Sequence, residues 1–319
     1  SSLRYLVFQL GSGLLLLAGV AMLHAATGRL AFADMAVPGA APPVGLIDIT
    51  SPGAVLIFAA FGIKAAFPLA HSWLPDFYPR ASETGAVVLS IFTTKLAVYA
   101  LARCFAGFDA LIWIGAVMAV FPVFFAMIEN DLRRVLAWSL VIQVGVMTAA
   151  VGMGSELAIN GAAAMAFAGV IYQALLFMCL GAVVWRTGSS KATELGGLHR
   201  TMPYTTLFCL VGAASIAALP FLAGFAAKSL VMSHAHGDKA TYAAWVVLLF
   251  GAVAVFLIAA LKVPLATFFS HDSGKRPKEA PFNMLLAMGL AAGLCVVTGV
   301  SPAWLYELLP YRDVAMGYL

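Results

Sequence analysis

The sequence contains few charged residues, and none of its acidic residues lies in the middle of a long apolar stretch. Charged residues make up 10% and hydrophobic residues 63% of the 319 positions, whereas soluble domains have roughly 25% charged and about half apolar residues. The mean hydropathy is +0.98. This composition excludes an ordinary soluble domain and predicts a membrane-embedded protein.

Patterns that would indicate a cofactor, a metal or an active site are also missing. His234, His236 and His271 fall in hydrophilic loops without a ligand-like set of partners, and no nucleophile–base arrangement is recognisable. The sequence therefore predicts no cofactor, no metal and no enzyme active site. The cysteines form no C-x-x-C pair, which argues against a disulfide scaffold; they are Cys104, Cys179, Cys209 and Cys295.

Long apolar runs dominate the chain. A bilayer core of ~30 Å requires about 20 helical residues, and about nine runs reach or approach that length. We therefore expect an all-α fold, a polytopic membrane helix bundle of about nine transmembrane helices. The runs cover residues 3–26, 53–73, 84–105, 110–128, 133–153, 157–185, 204–233, 241–269 and 282–300.

Basic residues are distributed unequally between the two ends of these spans. One side carries ten: Arg4, Arg80, Arg133, Arg134, Arg186, Lys191, Arg200, Lys275, Arg276 and Lys278. The other side carries four: Arg29, Arg103, Lys239 and Arg312. The positive-inside rule makes the first side cytoplasmic and places the C-terminus outside. The net charge of +4 then indicates contact with anionic lipid, not with nucleic acid.

Two spans contain residues that interrupt a helix. In the second span Pro68 follows Lys64, and in the seventh Pro220 and Gly224 precede Lys228. Proline removes a backbone donor and clashes with the preceding turn, so both spans should be kinked or broken. Paired, interrupted spans that carry charge point to the ion site of a repeat-built transporter. Packing kinks with snorkelling lysines would give the same pattern.

Four lysines lie inside apolar runs: Lys64, Lys95, Lys228 and Lys262. A lysine in hydrocarbon is costly, and it normally faces a protein interior or a wet cavity on an ion path. Burial disfavours the ammonium form, so a buried lysine can gain and lose a proton near neutral pH. Lys262 is nearer the cytoplasmic end of its span, where snorkelling explains it equally well.

Several stretches carry a specific resemblance. In order along the chain they resemble the D subunit of Mrp-type multisubunit cation/proton antiporters, and they are similar to the antiporter-like subunits of respiratory complex I. The loop at 194–203 and the L-K-V-P at 261–264 point to the Mrp side. The main stretches are G-I-K-A-A-F-P-L-A-H-S-W-L-P-D-F-Y (62–78), T-T-K-L-A-V-Y-A-L-A-R (93–103), E-N-D-L-R-R-V-L-A-W-S (129–139) and L-P-F-L-A-G-F-A-A-K-S (219–229).

The resemblance implies a partial antiporter-like inverted-repeat fold and a row of lysines, histidines and water that relays protons across the middle of the membrane. By resemblance Lys64, Lys95 and Lys228 lie on three positions of that row. It further implies other membrane subunits as partners, transport of protons and a monovalent cation, and a bacterial inner membrane. Family members begin several spans earlier, so the chain, which opens on Ser1, is expected to be N-terminally incomplete relative to them.

The sixth span departs from the family pattern. Where the family has H-A-F-A-H-I-L-Y-K-A-L-L-F, this chain has M-A-F-A-G-V-I-Y-Q-A-L-L-F, with Met165, Gly169 and Gln173 at the titratable places. Methionine and glycine cannot carry a proton, and glutamine can hydrogen-bond but not titrate. Protons passing between Lys95 and Lys228 would have to use water held by Gln173, Tyr172 and nearby hydroxyl groups.

Two weaker candidates for the path are His71 and Glu83. His71 follows Lys64 by seven residues, about two turns, and could lie on the same face. Glu83 is ~18 Å from Lys95 along a helix, too far for direct pairing. It is either a proton-uptake group at the cytoplasmic mouth or a solvated carboxylate at a helix start.

We expect one transmembrane domain over 1–319, divided into the remainder of a first repeat (1–105), a second repeat (106–269) and a C-terminal helix and tail (270–319). Three functions compete. The lysines and ordered motifs favour a proton- and cation-translocating subunit, whereas Met165, Gly169 and Gln173 favour a degenerate paralogue that only supports assembly. A single-chain transporter of another family is the third, but no polar substrate cluster supports it.

Overall fold

The computed structural model describes residues 2–28, 47, 49–233 and 239–317. These residues form helices joined by short loops, and within them there is no β-sheet, only an isolated bridge between Asp131 and Lys191. Arg29, His234 and His236, which figure in the sequence predictions, lie outside the described residues. The expected all-α architecture is confirmed.

In the described part of the chain, seven helices are long and apolar enough to cross a membrane. The eighth predicted span, α10, begins as Lys239–Val255 and continues through π-helical turns at Phe256–Lys262 and Leu265–Phe269. The others are α1 (Ser2–Thr27), α4 (Glu83–Cys104), α5 (Ala110–Ile128), α6 (Leu132–Met153), α7 (Glu156–Thr187) and α11 (Phe282–Val300).

The second and the seventh predicted spans are each divided into two helices. The second consists of α2 (Pro52–Lys64) and the short α3 (Trp73–Phe77), and the seventh of α8 (Pro203–Ile216) and α9 (Ala223–Met232). The predicted breaks near Pro68 and near Pro220–Gly224 are thus confirmed. Two short helices, α12 (Ala303–Glu307) and α13 (Arg312–Met316), follow α11.

Both breaks begin with the same backbone turn. At the end of α2, Phe67 N donates to Gly62 O (2.9 Å) and Ala66 N to Ile63 O (3.2 Å). At the end of α8, Leu219 N donates to Ala214 O and Ala218 N to Ser215 O, both at 3.0 Å. These pairs of bonds define a Schellman motif, which closes a helix end with one residue in the left-handed region.

The left-handed residues of these turns are not glycine. Ala66 and Ala218 both have φ of 62°, and the residues after the two prolines, Leu69 and Phe221, have φ of 73° and 67°. The segments A-A-F-P-L (65–69) and A-A-L-P-F (217–221) therefore share both sequence pattern and backbone. A non-glycine residue in the left-handed region costs roughly 1–2 kcal/mol of conformational energy, so the backbone is strained at each break.

Helix α6 forms the centre of the bundle, with nearly all of its residues buried. Glycines allow α5 to lie directly against it: a Cβ at Gly145 would stand 2.8 Å from the carbonyl oxygen of Gly115. A similar contact joins α1 to α2, where a Cβ at Gly19 would stand 2.8 Å from Gly53 O. Such close backbone approach is typical of helix packing in membranes.

The segments predicted to lie on the cytoplasmic side come together. Asp76 accepts from Arg4 (2.7 Å) and from Arg134 (2.9 Å), and Arg134 also meets Glu129 (3.3 Å). These pairs join the start of α1, the end of α3 and the loop between α5 and α6. These segments therefore lie at one end of the bundle, and the assignment of that end to the cytoplasm stays a prediction.

The C-terminal part of the chain is attached to both ends of α7. Near one end, Asn160 Nδ2 donates to Tyr311 O (2.7 Å), and Tyr311 N donates to Asn160 Oδ1 (3.0 Å). Near the other end, Arg186 donates to the carbonyl of Glu279 (2.7 Å). The Glu279 carboxylate also accepts from Thr205 Oγ1 (2.6 Å) at the start of α8.

The shared turn predicts opposite effects of one substitution at neighbouring alanines. Ala218→Gly should stabilise the protein by about 1 kcal/mol, because glycine relieves the left-handed strain. Ala217, with φ of −69°, has ordinary helical geometry, so Ala217→Gly should destabilise it by about 0.5–1 kcal/mol. Thermal unfolding of the purified protein in detergent measures both. Equal destabilisation by the two variants would contradict the strained turn.

Candidate functional site

The ammonium groups of all four lysines within the spans meet carbonyl oxygens. Lys64 Nζ donates to a side-chain amide, and the other three donate to the backbone. Among the described residues, none of the four lies within salt-bridge distance of a carboxylate. Each ammonium is thus satisfied by dipoles of neutral groups.

Lys228 lies at the second break and is 8% exposed. Its Nζ donates to Ile216 O at 2.7 Å, which is the carbonyl of the last residue of α8. The C-terminal end of a helix carries partial negative charge from its unpaired carbonyls. The half-helix α8 therefore supplies the stabilising partner that a carboxylate would supply elsewhere.

A groove of about 390 Å³ reaches Lys228 from the side of the bundle. It lies between the second break and α10, and Lys228 and Ser229 are the polar residues in its lining. The remaining lining is apolar and includes Ala217, Ala218, Phe225, Met232, Leu249 and Phe256.

Lys95 is buried near the middle of α4, with 6% exposure. Its Nζ donates to the carbonyl of Ser90, about one turn earlier in the same helix. The Lys95 side chain extends toward α7, since its Cε lies 3.7 Å from the place where a Cβ of Gly169 would stand. Lys95 and Gly169, where the family has a histidine, therefore belong to one site.

Lys64, the last residue of α2, is half-buried, and its Nζ donates to Gln9 Oε1 of α1 at 3.2 Å. Helix α1 covers the first break further through Tyr5, whose ring stacks on Phe77 at 4.1 Å between centroids. Lys64 thus faces a protein neighbour. The neighbour is an uncharged amide.

Lys262 has a different environment from the other three. Its Nζ donates to Ala126 O (3.0 Å), Met127 O (2.8 Å) and Glu129 O (2.7 Å). These carbonyls end α5, where a cation offsets the partial negative charge of the helix terminus. The contacts favour a structural role for Lys262, and its place in a proton path stays a prediction.

On α7, the predicted residues Tyr172 and Gln173 are both fully enclosed. Tyr172 Oη donates to Gln143 Oε1 of α6 at 2.6 Å, and it lies 3.4 Å from the Cβ position of Gly169. Neither side-chain polar atom of Gln173 has a hydrogen-bond partner among the described residues. Met165, 1% exposed, lies one turn from Gly169 on the same helix.

The two weaker candidates are placed apart from this cluster. Because α2 ends at Lys64, helical spacing does not carry over to His71, whose ring packs against Phe121 (4.6 Å) and Trp138 (5.6 Å). Glu83 is the first residue of α4 and lies beside Gly181 of α7. Both assignments stay predictions.

Sequence reasoning missed two participants, Gln9 and Gln143. It searched the apolar runs for charged residues, and both are uncharged. The signal was present nonetheless: each is an isolated amide inside an otherwise apolar span, and such a group must find a partner there.

Two divided spans, seven long apolar helices and a series of buried lysines define a multi-pass membrane protein. Residues 1–257 match the family described as NADH:quinone oxidoreductase/Mrp antiporter, TM. The chain belongs to this family, which confirms the predicted relationship.

Individual relatives agree with this assignment. The chain is 28% identical to hydrogenase-4 component B of Escherichia coli over 95% of its own length and 49% of the relative's. It is 29% identical to the D subunit of the Na(+)/H(+) antiporter of Alkalihalophilus pseudofirmus, over 96% of this chain and 64% of the relative. The chain thus spans half to two thirds of these proteins.

A solved structure confirms the fold. In the Mrp complex from Dietzia sp. DQ12-45-1b, one chain superposes with a TM-score of 0.82 at 22% identity, covering 99% of this chain and 68% of that one. The likeness extends through the described helices and establishes the antiporter-like arrangement of this bundle.

The contacts of Lys262 predict a stability defect. Lys262→Met should destabilise the protein by about 1–3 kcal/mol, because it leaves three carbonyls at the end of α5 without their cationic partner. Lys262→Arg retains a charged donor and should recover part of the loss. Thermal unfolding in detergent is the measurement, and an unchanged midpoint for Lys262→Met would show that these bonds contribute nothing.

Proposed function

We propose that the chain is a membrane subunit of a multisubunit cation (Na+)/proton antiporter, or of a related proton-translocating complex. In this proposal Lys64, Lys95 and Lys228, which lie inside the spans, take up and release protons in sequence. The names of its relatives and its family membership support this class of function. The proposal gives the chain no catalytic site of its own, and its role is ion movement within a larger complex.

The observation that best supports this proposal is that the ammonium groups of the lysines donate hydrogen bonds to neutral carbonyl oxygens. A buried ammonium beside a carboxylate is strongly held in its charged form, because separating the pair leaves an uncompensated buried charge. A carbonyl stabilises the ammonium less and remains tolerable beside a neutral amine. Lys95 and Lys228 are therefore able to change protonation state without leaving a bare carboxylate behind.

Helix α7 provides the connection between these two lysines. It packs against α4, which carries Lys95, and against α9, which carries Lys228. Gln173, together with Thr94, offers buried polar atoms without partners in the described part of the chain. Polar groups of this kind hold ordered water inside proteins, and water is the medium through which we propose that protons cross α7.

The chain works, in this proposal, in a bacterial inner membrane beside other membrane subunits and in contact with lipid. We also propose the division into repeats 1–105 and 106–269, followed by the C-terminal helix and tail. The matching turns at A-A-F-P-L and A-A-L-P-F support two related halves, since they place the same strained backbone in the second and the seventh span.

The second candidate is a subunit that supports assembly but does not conduct. The enclosed, non-titratable Met165 and the glycine at position 169 favour it, because they remove the side chains that carry protons in the family. Proton flux through the complete complex distinguishes the two functions.

Replacement of Lys95 should abolish proton movement. In everted vesicles that carry the complete complex, Lys95→Gln should reduce cation-dependent proton flux on the order of 100-fold, because a glutamine cannot exchange a proton. The matched control is Lys278→Gln, which makes the same change at an exposed loop residue and should leave the flux intact. Absent flux in the unmodified complex, with Lys95→Gln silent, would favour the assembly role.

The space above Gly169 gives a second test. Gly169→Ala adds a methyl group in ordinary contact with Tyr172 and Lys95, at 3.4 and 3.7 Å, so the helix should tolerate it and gain about 1 kcal/mol in stability. We expect flux to fall because the methyl group occupies the space between the two side chains. Gly289→Ala, with contacts at 3.4 and 3.8 Å to Phe208, is the matched control. Equal proton flux in both variants would show that protons do not pass through the space beside Gly169.

A further inference from the structure

Gln143 is a buried amide at the centre of the bundle, 2% exposed on the enclosed helix α6. An amide placed there without a partner would cost several kcal/mol. Its oxygen has one partner, the hydroxyl of Tyr172, at 2.6 Å. The bond is short and buried on both sides, so it fixes the orientation of that hydroxyl group.

The orientation matters because a hydroxyl has a single proton. When that proton is donated to Gln143 Oε1, the phenolic oxygen retains only acceptor capacity. This oxygen lies 3.4 Å from the Cβ position of Gly169, and Cε of Lys95 lies 3.7 Å from the same point. The lone pairs of Tyr172 and the end of the Lys95 side chain thus border one small space.

Other titratable groups are already engaged or lie elsewhere. Helix α4 packs against α2, α6, α7 and the turn at 78–80. Tyr78 Oη donates to Leu89 O, and Lys64, at the end of α2, donates to Gln9. Arg133 and Arg134 lie at the start of α6, while Cys179 of α7 faces Cys209. Within the described residues, no carboxylate lies within salt-bridge distance of Lys95.

We propose that Gln143 is a positioning residue for the proton relay: by holding the Tyr172 proton, it makes Tyr172 an acceptor toward Lys95 and favours the ammonium form of that lysine. The inference rests on the proposed function of the lysines. It also assigns a boundary to the path, because an amide oxygen does not readily pass a proton onward. Protons leaving Lys95 move past Gly169 along α7, and not into α6.

Two substitutions at Gln143 should shift the pH dependence of flux in opposite directions. Gln143→Met keeps the size of the side chain but removes the acceptor, so Tyr172 is free to donate to neutral Lys95. The pH of half-maximal flux should fall by about half to one unit. Gln143→Glu keeps an acceptor and adds negative charge, so the midpoint should rise. Everted vesicles with the complete complex provide the measurement.

Tyr172→Phe separates this role from simple packing. It should lower the midpoint as Gln143→Met does, and the double variant should show no further shift, because both changes remove the same hydrogen bond. Additive losses of flux at an unchanged midpoint would indicate packing alone and overturn the inference. So would shifts of the same sign in Gln143→Met and Gln143→Glu.

The outcomes distinguish this inference from the proposed function. If the unmodified complex conducts and Lys95→Gln abolishes flux, but the Gln143 variants leave the midpoint unchanged, only the role of Gln143 is refuted. If the unmodified complex shows no proton flux, the proposed function fails and the inference fails with it.

Discussion

A helix that ends inside a membrane leaves carbonyl groups that no water can satisfy, and this constraint governs both divided spans. The cost of an unpaired carbonyl in hydrocarbon is several kcal/mol. At the first break the indole nitrogen of Trp73 donates to Ile63 O at 3.0 Å, whereas at the second break Lys228 donates to Ile216 O. One half-helix is thus closed by the neutral indole of Trp73 and the other by the amino group of Lys228.

Hydrogen bonds from ammonium groups to carbonyl oxygens also explain how a chain with so few acidic residues accommodates lysines inside its spans. Asp76 and Glu129 lie at the ends of the spans, where they pair with arginines. At Lys64, Lys95 and Lys228, the amide and peptide dipoles take their place. Among the described residues, such a site has no fixed opposite charge within salt-bridge distance of these lysines.

The fold was predictable from the sequence because its signals are strong and local. Apolar runs of about 20 residues gave the spans, and Pro68 and Pro220 gave the breaks. Contacts between spans were not predictable in the same way. The bond between Tyr172 and Gln143 joins α7 to α6 across 29 positions of the chain, and the sequence does not show how these two helices are rotated relative to each other. The partners of Lys262 lie more than 130 positions earlier in the chain, at the end of α5, and the sequence does not show that the two segments meet.

Helix α7 has 32 residues, about 48 Å at 1.5 Å per residue, and so extends well beyond the ~30 Å apolar layer. Asn160 and Arg186 near its two ends both bind the C-terminal part of the chain. The C-terminal part is therefore bound to α7 at two points that are far apart along the helix. A neighbouring protein that displaced the C-terminal part would therefore exert a force along the axis of α7. This is the helix that contacts Lys95 in the middle of its length.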